Sequence, residues 1–211
     1  MTILVVTAVP AEAGAVSAGL TTDTVAVRPV GAGPAAAAAG AARLIAMAEA
    51  ADRPYTAVIS AGVAGGFAGR AEIGDTVIGV RSIAADLGAE TPGGFLPIDD
   101  LGFGTGVEPT DPALREKLAE VLTGAVQGDI LTLATVTGTA ATAARLAETH
   151  PGAVAEAMEG HGVATAARAA GLPFAEVRTI SNLIGPRDRE SWRMAEAFAA
   201  LTRAATAFQT A

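Results

Sequence analysis

The sequence predicts a single α/β domain, a central mixed β-sheet flanked by helices, and three observations carry that prediction. Short apolar runs alternate along the chain with longer stretches of helical periodicity. Several of those runs lack polar alternation, the pattern of strands buried on both faces of a parallel or mixed sheet. No linker or internal repeat divides the 211 residues, a length that one domain accommodates.

Taken in order, Ile3–Ala8 and Thr24–Val30 read as strands, with Pro10 and Glu12 opening a helix between them. Pro34–Ala51 reads as a helix, and Ala57–Ala61 and Thr76–Ile83 as strands. Asp86–Pro109, rich in Gly, Pro and Asp, reads as a long loop, and long loops in compact domains are often functional. Pro112 behind Asp111 starts a helix that runs to Leu122. Ile130–Val136 follows as a strand and Ala140–Glu148 as a helix. The Ala-rich stretch Ala153–Gly171 reads as one helix, stopped by Gly171-Leu172-Pro173. Phe174–Ile180 is the last strand and Arg189–Gln209 the closing helix.

Composition narrows the function classes. Hydrophobic residues make up 51% of the chain but aromatics only 4%, so Ala, Val, Leu and Ile must fill the core. A net charge of −8 argues against non-specific nucleic-acid binding, which needs a basic face. The absence of cysteine excludes disulfides and thiolate zinc sites and suits a reducing, cytoplasmic compartment. The start, "MTILVVTAVPAEAG", lacks the basic region of a signal peptide, and no apolar run reaches the ~18–20 residues of a membrane span. A soluble protein is expected. His150 and His161 have no partner at metal-ligand spacing, so no metal is expected, and no cofactor either. "GAGPAAAA" lacks the third glycine and the acidic residue of a dinucleotide fingerprint, and no P-loop is present.

Three glycine-bearing segments read as loops at strand ends: "GAGPAAAA" from Gly31, "SAGVAGGF" from Ser60, which holds Gly62, and "TVTGTAAT" from Thr135. Each alone serves as a tight turn; three together mark the carboxyl ends of strands, where open α/β sheets bind ligands. Glu12 stands just beyond the first strand, where a carboxylate can also compensate a helix dipole. Glu159 lies in "AMEGHG", where an exposed helical acid is the simpler alternative. Asn182 follows Ser181 at the end of the last strand, where it can equally cap or turn the chain.

The order "TAVPAE", "GAGPAAA", "SAGVAGGF" with "IGDTVI", "TVTGTA", "AMEG" and "VRTISN" resembles the nucleoside phosphorylase and nucleosidase superfamily over nearly the whole chain. It is especially similar to the methylthioadenosine/S-adenosylhomocysteine nucleosidases. Within the superfamily, "AMEGHGVATAARAAGLPFAEVRTISNLIGPRDRESW" looks most like the futalosine hydrolases, which remove hypoxanthine from futalosine in an alternative menaquinone pathway. The resemblance implies a nucleoside phosphorylase-like fold and a small-molecule nucleoside substrate. It puts Glu12 at the water-activating position, and Met158 and Glu159 at the ribose, the glutamate accepting from the sugar hydroxyls. Cleavage of an N-glycosidic bond through an oxocarbenium-like state would then have Glu12 as base and Glu159 as added negative charge.

The methylthioadenosine enzymes carry Asp where this chain has Asn182. Asn cannot protonate an adenine, but its amide offers both a donor and an acceptor, which suits a 6-oxopurine. The Ser181–Asn182 pair is therefore expected to select the base. A phosphorylase needs cations for phosphate, and the glycine segments supply only Arg70, beyond a turn, so water is the expected nucleophile. Arg187, Arg189 and Arg193 beside Trp192 are candidates for the carboxylate-bearing 5′ side of futalosine, with Phe95, Leu96 and Phe103 as an apolar lining. Pairing of Asp188 with these arginines on a solvated helix start is the competing explanation. The resemblance also implies a homodimer or larger homo-oligomer. Another purine nucleosidase, a phosphorylase, and a non-catalytic nucleoside-binding protein are the alternatives.

Overall fold

The computed structural model describes residues 2–211. The elements in chain order are β1 (Ile3–Thr7), α1 (Pro10–Ala18), β2 (Val25–Pro29), α2 (Pro34–Ala50), β3 (Ala57–Gly66), β4 (Thr76–Ala84), β5 (Gly88–Thr91), β6 (Gly94–Pro97) and α3 (Ile98–Leu101). Then come β7 (Val107–Pro109), α4 (Pro112–Val121), β8 (Val126–Thr132), α5 (Ala140–Thr149), β9 (Ala153–Ala157), α6 (Gly160–Ala169), β10 (Phe174–Leu183) and α7 (Met194–Phe208).

The main sheet has eight strands, ordered β10-β4-β8-β9-β3-β1-β2, with β7 beside β4. β10 also pairs with β3, so β3, β10, β4, β8 and β9 close into a ring. β1 pairs parallel with β2 and β3, and β10 runs parallel to β3 but antiparallel to β4. The mixed sheet read from the apolar runs is thus present, and the ring accounts for those runs: Ala64, Val77, Ile130, Ala155 and Ile180 pack together in one cluster. Outside, one layer joins Val5, Ile59 and Val177 to Leu114, Leu201 and Phe208. The opposite layer joins Leu4, Val58 and Phe174 to Ala37, Ala41, Val163 and Ala167, where alanines let α2 and α6 approach the sheet closely.

Helix starts follow local chemistry. Asp111 caps α4 by accepting the Leu114 N–H at 2.9 Å, and Thr139 caps α5 by accepting that of Thr142 at 3.1 Å. Pro10, Pro34 and Pro112 occupy first-turn positions, where their missing N–H costs nothing.

Several boundaries differ from the sequence reading. Ala153–Gly171 is not one helix: Ala153–Ala157 is β9, every residue buried between β8 and β3, and the helix starts only at Gly160. Alanine suits a helix, but five buried alanine, valine and glutamate residues between two strands gain ladder hydrogen bonds that override propensity. "SAGVAGGF" is not a loop after β3, since β3 continues through it to Gly66. β8 lies earlier than the expected Ile130–Val136, and residues 133–139 form the loop instead. The 86–109 segment is not featureless; it holds the β5–β6 hairpin, α3 and β7. A 3₁₀ turn at Arg189–Ser191 precedes α7, which begins at Met194 rather than Arg189.

Candidate active site

Four segments converge at the carboxyl ends of β1, β3, β9 and β10. Glu12 is 3% exposed in the first turn of α1. Its Oε2 accepts the N–H groups of Ala8 and Val9 at 2.9 and 3.1 Å, and its Oε1 accepts that of Val63 at 2.9 Å. It therefore does cap its helix, as the simpler alternative held, yet one of its roughly four acceptor positions remains. Glu159, immediately before α6, turns away from its own helix. Its Oε1 accepts the Gly33 N–H at 3.1 Å, and its Oε2 accepts from the Met158 N–H and Arg178 Nη1, both at 3.3 Å. Gly33 has φ +92°, a left-handed backbone that glycine adopts without strain, and this aims its N–H across at Glu159.

Between the two glutamates stands Arg178, which the sequence reading missed. It is 1% exposed in mid-β10. Nε donates to Glu176 Oε1 at 2.9 Å, Nη1 to Glu159 and Nη2 to Ser60 Oγ at 3.1 Å. Gly62 lies beneath this group rather than at a ligand surface: a Cβ there would come within 2.5 Å of Glu12 Oε1 and 2.8 Å of Arg178 Nη1. Gly62 thus leaves the room that the Glu12 carboxylate and the Arg178 guanidinium both occupy. Glu176, fully buried, also accepts from Ser82 Oγ. Burial pulls the Arg178 pKa down, but the Glu176, Glu159 and Glu12 carboxylates more than offset it, and the net shift is upward. Burial pushes the Glu176 carboxyl up, with Arg178 and Ser82 opposing. Three carboxylates around one guanidinium give the site negative character. The signal for Arg178 was present in "FAEVRTIS": opposite charges two residues apart, on one face of an otherwise apolar strand.

Asn182 follows four residues later on β10, after a β-bulge between Ile180 and Asn182. Ser181 is 3% exposed and sits under Asn182 as a support: its single hydroxyl proton is shared between Asn182 Oδ1 at 2.8 Å and Ala64 O at 3.2 Å. Asn182 lines a slot with Gly65, Val136, Thr137, Glu156, Arg187 and Trp192. Trp192 is half-buried, with the Arg187 and Arg189 guanidinium groups 5.3 and 5.8 Å from its ring centroid. Met158 is half-buried beside Glu159. The structure thus brings Glu12, Gly62, Met158, Glu159, Ser181, Asn182, Arg187 and Trp192 to one end of the sheet. Phe95 instead lines a separate cavity of ≈560 Å³ with Arg81, Asp129 and His150, and Phe103 is 83% exposed. That cavity is larger than the slot but holds none of these residues.

Arg70, the cation that follows the "SAGVAGGF" segment in sequence, donates to the carbonyls of Ala147, His150 and Ala153. It anchors the end of α5. Among the described residues no cluster of His, Asp and Glu suits a metal ion.

The phosphorylase superfamily pattern matches residues 3–211. The chain is 56% identical to the futalosine hydrolase of Streptomyces coelicolor, over 82% of this chain and 74% of that one. It is 45% identical to the futalosine hydrolase of Acidothermus cellulolyticus, over 94% of this chain and 89% of that one. Its backbone superimposes with a TM-score of 0.81 on a 5′-methylthioadenosine/S-adenosylhomocysteine nucleosidase from Neisseria meningitidis. The match covers 99% of this chain and 98% of that one at 20% identity, a likeness of fold. On sequence and fold together, the chain belongs to the phosphorylase superfamily and, within it, to the futalosine hydrolases.

Proposed function

We propose that the protein hydrolyses the N-glycosidic bond of futalosine, releasing hypoxanthine and dehypoxanthine futalosine, as a step of menaquinone biosynthesis through futalosine. The observation that carries this reading is the convergence of Glu12 and Glu159 on Arg178, with an amide rather than a carboxylate at Asn182 on the same strand. Membership of the futalosine hydrolase family supports the substrate.

In this reading the free acceptor position of Glu12 orients a water at C1′ and takes its proton as the new C–O bond forms. The C1′–N9 electrons leave with the purine. Glu159, with about one acceptor position left, receives a sugar hydroxyl, and its charge, with that of Glu12, stabilises the developing oxocarbenium ion. Met158 packs against the sugar. Asn182, its Oδ1 engaged by Ser181 and one N–H of its Nδ2 given to Leu183 O at 3.0 Å, presents the remaining N–H to the N7 and O6 edge of the leaving hypoxanthine. Arg187 and Trp192, stacked at the mouth of the slot, receive the carboxylate-bearing 5′ side. Phosphate takes no part: Arg70 is committed to backbone carbonyls, and a cluster of three carboxylates around the one buried guanidinium repels a dianion. The enzyme is a soluble, cytoplasmic homo-oligomer; no helix among the described residues is long and apolar enough to cross a membrane, and Leu87, Phe95 and Phe103 expose apolar surface for a second copy.

Chromatography of bases released from futalosine, inosine and methylthioadenosine, with and without phosphate, tests this. The expected result is hypoxanthine from futalosine at a rate indifferent to phosphate, with turnover falling by ~10²–10⁴-fold in Glu12→Gln while substrate still binds. Adenine release from methylthioadenosine as the main activity, a phosphate requirement, or full turnover by Glu12→Gln would each overturn the reading.

A further inference from the structure

The slot beside Asn182 holds a second buried polar side chain that the water and ribose chemistry leaves unused. Glu156, in β9, is 4% exposed. Strand register fixes where it stands: Asn182 on β10 and Glu156 on β9 are both cross-strand partners of Gly65 on β3. Directly opposed residues in a sheet project to the same face. A Cβ placed on Gly65 would lie 2.6 Å from Ile184 Cγ2 and 3.5 Å from Asn182 Nδ2, so the glycine makes room for the Ile184 side chain, which covers the floor of the slot beside the Asn182 amide. With strands about 4.8 Å apart, the walls stand about 10 Å from each other across that floor. This width suits a planar heterocycle hydrogen-bonded at both edges.

The two walls differ in polarity. Asn182 offers an amide. Glu156 offers a carboxylate held by two donors of the 133–139 loop: the Thr137 N–H donates to Oε1 at 2.7 Å and the Thr137 hydroxyl to Oε2. Those bonds fix its orientation and leave about two of its four acceptor positions open. Burial pushes the Glu156 carboxyl up and the Thr137 bonds oppose it, so the open positions call for a donor from whatever fills the slot. A 6-oxopurine presents an N–H at N1 next to the O6 acceptor. A 6-aminopurine presents a bare lone pair at N1, which would face the lone pairs of the carboxylate.

We propose that Glu156 is a base-selecting residue, its carboxylate accepting the N1–H of a 6-oxopurine whose N7 and O6 edge is held by Asn182. The proposal rests on the reading of the slot as the purine site. It explains how this chain distinguishes the two purine classes when the Asn182 amide, able to donate and accept, does not by itself exclude adenine.

The test compares kcat/KM for futalosine, its 6-amino counterpart and its N1-methyl counterpart in the wild type and in Glu156→Gln. Gln offers an N–H to a bare N1, so the 6-oxo over 6-amino ratio is expected to fall by ~10²-fold or more in the variant. Because both rates come from one preparation, partial unfolding cancels in the ratio. Methylation of N1 is expected to cost the wild type a similar factor and to cost Glu156→Gln little further, and the wild-type arm needs no variant to fold. An unchanged ratio, or wild-type turnover of the N1-methyl substrate as fast as of futalosine, would overturn the assignment while leaving the nucleosidase reading intact. Wild type that releases no hypoxanthine from futalosine would overturn that reading, and this assignment with it.

Discussion

Arg178 touches Glu176, Glu159 and Ser60 with three different nitrogens, in a place where water does not reach. Removing such a residue leaves buried carboxylates without their counter-charge, which costs more than the hole itself. Arg178→Met is therefore expected to lose about 3–5 kcal/mol of stability, read as a lower urea midpoint with an unchanged slope. A midpoint within experimental error of wild type would show that the carboxylates find water or each other instead. The same residue marks the limit of what the sequence disclosed about the site. Glu12, Glu159 and Asn182 were legible because they stand where elements begin or end, so a polar side chain there invites a chemical reason. Arg178, Glu176 and Glu156 lie inside apolar strands, and only the pairing of β10 and β9 with β3 shows which polar groups they face. Met158 and Glu159 were found by resemblance and do stand where the Ala-rich helix opens, but the residues before them are the strand β9 and not helix.

At the level of elements, apolar runs located β1, β2, β4 and β10 to within a few residues, because strands buried on both faces need uninterrupted hydrophobicity. β9 was not legible: its alanines satisfy a helix as well as a strand, and only the neighbours β8 and β3 decide between them. The helix α7 was legible, and it also holds the molecule shut. Its Leu201, Ala204, Ala205 and Phe208 are at most 1% exposed against β3 and the facing α1. With so few aromatics in the chain, Phe208 fills space that no alanine can, and its truncation leaves a cavity rather than a rearrangement. Phe208→Ala is expected to lower stability by about 3–5 kcal/mol in denaturant unfolding, while the ratio of futalosine to inosine turnover stays at the wild-type value. A change in that ratio would mean that α7 packing reaches the slot.

For the whole molecule, the exposed apolar side chains are not evenly spread. Leu87, Phe95 and Phe103 all lie on the 86–103 segment, with Phe103 83% exposed. A single apolar residue on a surface needs no explanation; three on one segment are where the proposed homo-oligomer is tested. Phe103→Asp is expected to shift the sedimentation coefficient of the protein toward that of a monomer, while thermal stability of the fold stays within ~1 kcal/mol because the side chain is not part of the core. A wild type that sediments as a monomer at micromolar concentration would remove the homo-oligomer from the proposal.

The closed ring of β3, β10, β4, β8 and β9 has a bearing on how such an assembly can form. Closure leaves the main sheet with little free backbone along its rim: β2 at one end and the three-residue β7 beside β4. β2 is five residues long, carries Arg28, and ends in Pro29, which has no amide hydrogen to give. β7 ends likewise in Pro109. A neighbouring chain therefore has almost no ladder to extend on the main sheet, and the short β5–β6 hairpin keeps the unpaired strand edges. The fold that opens a nucleoside slot at one end of its strands is, along its margins, guarded against fibrous growth.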